Sequence, residues 1–165
     1  MMTDNFRRWF MPLFGSGNNN YATYIDNTGE TRQANWNGTN VAYLTSFGNA
    51  LLPNISDGTC TLALGTGTTK PKASDYNLES MIDNSLFTIQ GKQVTYTSGV
   101  EGRETWILTL QYTGNDDITI TEVGMFIKPF SGQYFAMLAR DVLTTPITVS
   151  KNQVFVASLC LGGDI

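Results

Sequence analysis

From Cys60 onward the chain is a succession of short runs in which polar and apolar residues alternate, each cut off by turn-forming residues. Cys60-Thr-Leu-Ala-Leu and Val94-Thr-Tyr-Thr follow a period of two. Trp106-Ile-Leu-Thr-Leu-Gln-Tyr, Ile118-Thr-Ile-Thr-Glu-Val-Gly-Met-Phe-Ile, Tyr134-Phe-Ala-Met-Leu-Ala, Ile147-Thr-Val and Gln153-Val-Phe-Val-Ala-Ser-Leu-Cys-Leu are rich in β-branched and aromatic residues. A period of two sends successive side chains to opposite faces of a strand and gives a helix no continuous apolar stripe. The breaks fall at Ser98-Gly99, Glu101-Gly102, the turn from Gly114 to Asp117, Ser131-Gly132 and Lys151-Asn152, all residues that reverse a chain cheaply. No run alternates strand with helix. The pattern predicts an all-β fold, an antiparallel β-sandwich or barrel-like domain. Its expected core or subunit seam holds Trp106, Leu108, Leu110, Ile118, Ile120, Phe126, Phe135, Leu138, Val154, Val156 and Leu159.

The first forty residues are of another character. Phe6, Trp9, Phe10, Leu13 and Phe14 are dense for so short a piece, and the spacing of the first four puts them near one helical face. Pro12 ends or bends that helix. A Gly-Ser-Gly-Asn-Asn-Asn joint follows over 15–20, then a stretch rich in Asn, Thr and Gly. The expected organisation is an aromatic anchor and extended arm over 1–40, with a short helix and a short strand near Tyr21–Ile25, and a β-sandwich body over 41–165. The five aromatic and aliphatic side chains either pack on their own domain, dock into a neighbouring subunit or lie on a membrane surface; as candidate assembly contacts they are read as docking. Val41 to Leu52 has spacings that suit either a helix or a strand, with Pro53 as a stop. A chain of 165 residues suffices for one substantial core.

Composition narrows the chemistry. The chain has no histidine, which removes the commonest acid–base group and the commonest transition-metal ligand. Cys60 and Cys160 sit singly in apolar runs, as buried thiols or a pair joined through space, and not as a zinc cage. Gly65-Thr-Gly67-Thr-Thr-Lys70 resembles a phosphate loop only superficially: Pro71 follows the lysine and no helix is signalled behind it. Asp116-Asp117 lies in a turn, where adjacent carboxylates make a poor catalytic dyad and at most a weak calcium site. The expectation is a protein without catalytic residues, metal or cofactor. A net charge of −4 with no basic cluster after Arg8 argues against sequence-specific nucleic-acid binding. No segment has the run of apolar residues that crosses a membrane, and no export signal is read at the start.

Three charged residues invite a structural reading. Glu122 stands inside the most apolar run, and a charge buried there needs a partner. Arg140 or Arg103 can reach it across a sheet. Arg140-Asp141 ends another apolar run and suggests a turn-stabilising or inter-subunit ion pair. Glu122, Arg140 and Asp141 are therefore the candidate ion-pair residues.

The stretch Leu64-Gly-Thr-Gly-Thr-Thr-Lys-Pro-Lys-Ala-Ser-Asp-Tyr-Asn-Leu-Glu79 resembles a segment of small structural proteins of tailed bacteriophages. Ile120-Thr-Glu-Val-Gly-Met-Phe126 and Leu138-Ala-Arg-Asp-Val-Leu-Thr-Thr-Pro-Ile-Thr-Val149 look like the same family, and the order of the three matches as well. Together they span roughly residues 60–161. The resemblance implies a virion component that assembles with copies of itself and with portal, tail or capsid proteins, in the tail or neck region. It carries over no catalytic or ligand-binding residue. The alternatives are a capsid decoration or head-fibre protein, and a carbohydrate-binding host-recognition module with Trp36, Tyr43 or Trp106 as sugar platforms. Within the first segment, Tyr76 and Leu78 are placed to pin a proline-containing loop back onto the sheet.

Overall fold

The computed structural model describes residues 1–10, 21–35, 48, 50–97, 103–129 and 134–161. Its elements are a helix α1 (Asp4–Phe10) and strands β1 (Tyr21–Ile25), β2 (Thr31–Asn35), β3 (Cys60–Gly65), β4 (Phe87–Thr97), β5 (Arg103–Tyr112), β6 (Ile118–Ile127), β7 (Ala136–Val149) and β8 (Val154–Leu161), with a 3-10 turn at Asn84–Leu86. All strand pairs are antiparallel: β1 with β2, a sheet ordered β3-β6-β7 and a sheet ordered β4-β5-β8. The fold is all-β and sandwich-like.

Alternation on β5 explains how the two larger sheets meet. Its register sets Trp106 between Val94 and Leu159, Leu108 between Lys92 and Ala157, and Leu110 between Ile89 and Phe155. Trp106, Leu108 and Leu110 are buried and join Leu62 and Leu64 of β3, Ile120, Val123 and Met125 of β6, and Leu138 of β7 in one core. Stacked sheets with interdigitating inner rows are the sandwich solution to one-sided strands. β3 is different, being buried along its whole length. Leu62 and Leu64 enter the main core, while Ala63 enters a second cluster with Leu52, Ile55, Leu78, Phe126, Phe135 and Met137. β3, residues 120–127 of β6 and residues 136–140 of β7 are thus covered on both faces, as near-continuous buried runs, while β7 beyond Arg140 is largely exposed as far as Thr148.

Strand parity corrects part of the expected core. Val154 and Val156 are 53% and 57% exposed, because Phe155, Ala157 and Leu159 are the β8 residues that face inward. Ile118 is half-buried at the rim, whereas the other eight expected core residues are buried. Cys160 shares the outward parity and is exposed, Cys60 is buried, and the two form no disulfide.

The described parts of 1–40 are stitched into the body instead of extending from it. Met2 bridges Ala139 of β7, Thr3 N donates to Leu138 O at 2.9 Å, and Arg140 N donates to Met1 O at 2.9 Å. The Asn5 side chain imitates a strand neighbour, accepting from Ile25 N at 2.7 Å and donating to Ile25 O at 2.6 Å. Tyr24 lies in the main core, and Asn27 N donates to Phe135 O at 2.9 Å. Phe6 is partly buried against the main core. Trp9 and Phe10 lie on α1, but their side chains are outside the description, as are Leu13, Phe14 and most of Val41 to Leu52. The turns at Ser98-Gly99, Glu101-Gly102 and Ser131-Gly132 lie outside it too.

The β1–β2 turn has its own charged centre. Gly29 adopts φ +91°, a conformation that favours glycine. The wholly buried Asp26 accepts from Thr28 N, Thr28 Oγ1 and Glu30 N, and pairs with Arg32 Nε at 2.8 Å. Burial opposes its charge, but the hydrogen bonds from Thr28, Arg32 and Glu30 outweigh burial and bring its pKa down to about 2. A folded pKa below the unfolded value of about 3.9 stabilises on the order of 2 kcal/mol, fully present above about pH 5 and lost as pH falls through that range toward 2. Asp26→Asn is expected to lower the melting temperature at neutral pH. The gap to wild type should close on acidification; a gap independent of pH between 7 and about 2 would contradict this linkage.

Candidate functional site

On the second face of the β3-β6-β7 sheet, residues 66–80 form a strap over Glu122. The strap is closed at its base: Ile82 N donates to Leu64 O at 2.9 Å, Thr66 N to Ser80 O at 2.8 Å, and Thr66 Oγ1 to Ser80 Oγ at 2.9 Å. Leu78 anchors it in the second core. Tyr76 remains 42% exposed, with its ring beside Gly29 of the β1–β2 turn.

Glu122 is completely buried, and its carboxylate is fully engaged. Oε1 accepts from Gly67 N at 3.0 Å and Ser80 N at 2.8 Å. Oε2 accepts from Glu79 N at 3.2 Å and from Arg140 Nε at 2.8 Å. Arg140, with its side chain 4% exposed, also donates Nη1 to Asp75 Oδ2 at 2.8 Å and Nη2 toward Glu79 Oε2 at 3.4 Å. Asp75 in turn accepts from Lys72 N at 2.9 Å. Glu79 accepts from Thr68 N at 2.9 Å, and from Thr69 N and Oγ1 at 2.7 Å each. Burial works against the Arg140 charge, but hydrogen bonds to Asp75 and Glu122 outweigh it and hold its pKa above the ordinary value. The Thr69 hydroxyl and the loop amides hold Glu79 below the usual carboxylate range.

Gly67 in the strap, Gly65 at the end of β3 and Gly124 on β6 are steric necessities. A Cβ on Gly65 would run into Glu122 Oε1 and stand 2.7 Å from Ser80 O; one on Gly67 would lie 2.5 Å from both Glu122 Oε1 and Glu79 Cβ. A Cβ on Gly124 would lie 2.8 Å from Leu78 Cδ2. The Gly-Thr-Gly loop does wrap anions with its backbone amides, but the anions are the protein's own carboxylates. Gly67→Ala is expected to cost about 1–3 kcal/mol by overpacking. A variant with unchanged urea midpoint would show that the strap shifts freely.

Glu122 and Arg140 are brought together; Asp141 is not. It pairs with Val123 in the β6–β7 register and is exposed, accepting only a local bond from Val142 N at 3.0 Å among those described. Strand parity separates it from its neighbour Arg140. Asp75 and Glu79 take its place, and sequence reasoning missed both. Their signal was the Asp-Tyr-Asn-Leu-Glu unit, whose two acids flank the anchoring Leu78. Beside the network a cleft of about 640 Å³ is lined by Asn27, Lys72, Asp75, Tyr76, Glu79 and Arg140 among others. Among the described residues no group of three or more His, Cys, Asp or Glu is placed to hold a metal ion. Trp106 is buried and offers no sugar platform, while Trp36 and Tyr43 lie outside the described residues. No described helix is long and apolar enough to cross a membrane. Comparison with protein-family models, curated proteins and solved structures finds no match.

Proposed function

We propose that this chain is a non-enzymatic structural component of a bacteriophage virion, assembling with copies of itself and with portal, tail or capsid proteins in the tail or neck region. One observation carries the reading. The three segments that resemble phage particle proteins lie far apart in sequence, yet each contributes to the Glu122–Arg140 network: the strap, the centre of β6 and the first half of β7. Segments held in common for catalysis would be expected to present a reactive group. Here the charges are spent on fastening a strap to a sheet, a structural use. Phe6, Trp9, Phe10, Leu13 and Phe14 remain the proposed contacts to another chain. The stitched N-terminus adds a condition: deleting residues 1–14 also removes the strand pairing beside Arg140, so loss of incorporation has to be read against the stability of the truncated body.

The test is the composition of the intact particle. Mass spectrometry and a reconstruction are expected to find the chain at fixed, multiple copy number in the tail or neck. Density on the capsid surface would move it to the decoration reading, and absence from purified particles would overturn the virion reading. Specific binding on a glycan array would favour host recognition instead.

A further inference from the structure

The N-terminal segment and the strap meet beside β7, and two short pieces of chain hold both. The first is Arg140. Its guanidinium fastens the strap through Asp75, Glu79 and Glu122, while its backbone N–H donates to Met1 O at 2.9 Å. The second is the turn of the strap at residues 72–75, where Asp75 N donates to Lys72 O at 3.1 Å and Lys72 N to Asp75 Oδ2 at 2.9 Å. The Asp75 carboxylate of this turn takes Arg140 Nη1 at 2.8 Å, and its Ala73 carbonyl accepts from Asp4 N at 2.7 Å. The bonds run in a closed ring: from the Arg140 backbone through residues 1–4 to Ala73, on to Asp75, and back to the Arg140 side chain. Thr3 and Asn5 beside this ring are 1% and 2% exposed, and Thr3 Oγ1 donates to Met137 O at 2.6 Å. The β1–β2 turn joins the strap as well, since Asn77 Nδ2 donates to Asn27 O at 3.1 Å.

We propose that the strap is the latch of the N-terminal segment: residues 1–5 leave β7 only as residues 66–80 leave Glu122 and Arg140. The proposal rests on the docking of residues 1–14 to another chain, and adds what holds that docking back in the free protein. The ring makes the two movements one. If the segment left alone, Arg140 N and Ala73 O would lose their partners, and the Met137 and Leu138 carbonyls would lose Thr3. If the strap left alone, Asp4 N would lose its acceptor and the Arg140 guanidinium would lose both Asp75 and Glu79. Buried polar groups stripped of partners are costly, so opening both sides together is the smaller disturbance for each bond broken. Proteins open locally in such cooperative units. The coupling is reciprocal, so whatever loosens the strap loosens the segment. The closed latch keeps Phe6 packed against its own core and away from other chains.

Hydrogen exchange of the full chain, followed residue by residue by NMR, is the test. In wild type the strap amides of Gly67 and Ser80, bonded to Glu122, and the amides of Thr3 and Arg140, bonded across the segment and β7, are expected to share one opening constant. It should exceed that of Leu108 and Leu110 in the central strand β5 by roughly tenfold or more. Two variants then loosen one side each and leave Glu122 in place. Thr3→Val removes the segment's hydroxyl from Met137 O, and Asp75→Ala removes the strap's carboxylate from Arg140. Thr3→Val is expected to speed exchange at Gly67 and Ser80 by the same factor as at Thr3 and Arg140, roughly fivefold to tenfold, and Asp75→Ala to speed all four amides together. Acceleration confined to the altered side, or none in either variant, would overturn the latch, because segment and strap would then be fastened independently. Opening constants in wild type equal to those of Leu108 and Leu110 would overturn it too, since both would then open only with the whole body. Each of these outcomes leaves the virion reading intact, which the composition of the particle decides.

Discussion

Replacing Arg140 with methionine is expected to destabilise the fold by about 3–5 kcal/mol, because it strands the buried Glu122 carboxylate without its cation. Methionine fills much of the same space, so the loss reports the charge and not a cavity. The pattern of double variants separates the ion pair from the backbone bonds. Glu122→Gln in the Arg140→Met background keeps an acceptor for the Gly67 and Ser80 amides and removes the uncompensated charge, so it is expected to recover part of the loss. Glu122→Leu in the same background leaves the Gly67, Glu79 and Ser80 amides without their carboxylate and is expected to recover nothing. Urea midpoints of wild type, Arg140→Met and the two double variants make the comparison. Arg140→Met within about 1 kcal/mol of wild type would mean that the network decorates the fold without holding it.

The sequence made the core of that network legible for a simple reason. Glu122 sits in a run so apolar that its charge demands a partner, and Arg140 is one of the few cations in the other apolar runs. The rest was not legible, because it depends on a loop. Asp75 and Glu79 belong to a segment with no periodicity, and only the closure of residues 66–80 over β6 brings them to the guanidinium. Asp141 was misassigned through its adjacency to Arg140, although adjacency on a strand means opposite faces. The Gly-Thr-Gly motif departs from a phosphate loop in sequence, and its role in the fold appears only with Glu122 lying against it.

The fold divides along the same line. Period-two alternation is a local signal, and it placed β3, β5, β6 and β8 without help from contacts; of β4 it caught only Val94–Thr97, and it made Thr144-Thr145-Pro146 a break between two strands where β7 runs unbroken from Ala136 to Val149. It did not fix which parity faces inward on β8, where Val154, Val156 and Phe155 are equally apolar; pairing with β5 decides that. Nor did it reveal that residues 1–5 and the β1–β2 hairpin are tied to β7 and Phe135. Those ties run through backbone groups and the side chains of Thr3, Asn5 and Asn27, which carry no hydrophobic pattern.

Trp106→Ala is expected to cost about 3–5 kcal/mol, against a total stability of about 5–15 kcal/mol for a domain of ordinary stability. Trp106 is 2% exposed, at the centre strand of its sheet, with Val94 and Leu159 as its cross-strand neighbours. Its own strand is paired on both sides and has little freedom to collapse into the space, so most of the void should persist and the loss should fall in the upper part of the range. Val156→Lys, three rungs away on β8 but outward-facing, is the control: it should leave the melting temperature nearly unchanged. The pair of variants therefore distinguishes two uses of apolar residues on one sheet, one inside the sandwich and one on its surface. The same measurement bears on host recognition. A tryptophan serving as a sugar platform would lose glycan binding on replacement and keep its melting temperature; Trp106→Ala should instead lose stability, and an unchanged melting temperature would place Trp106 outside the core.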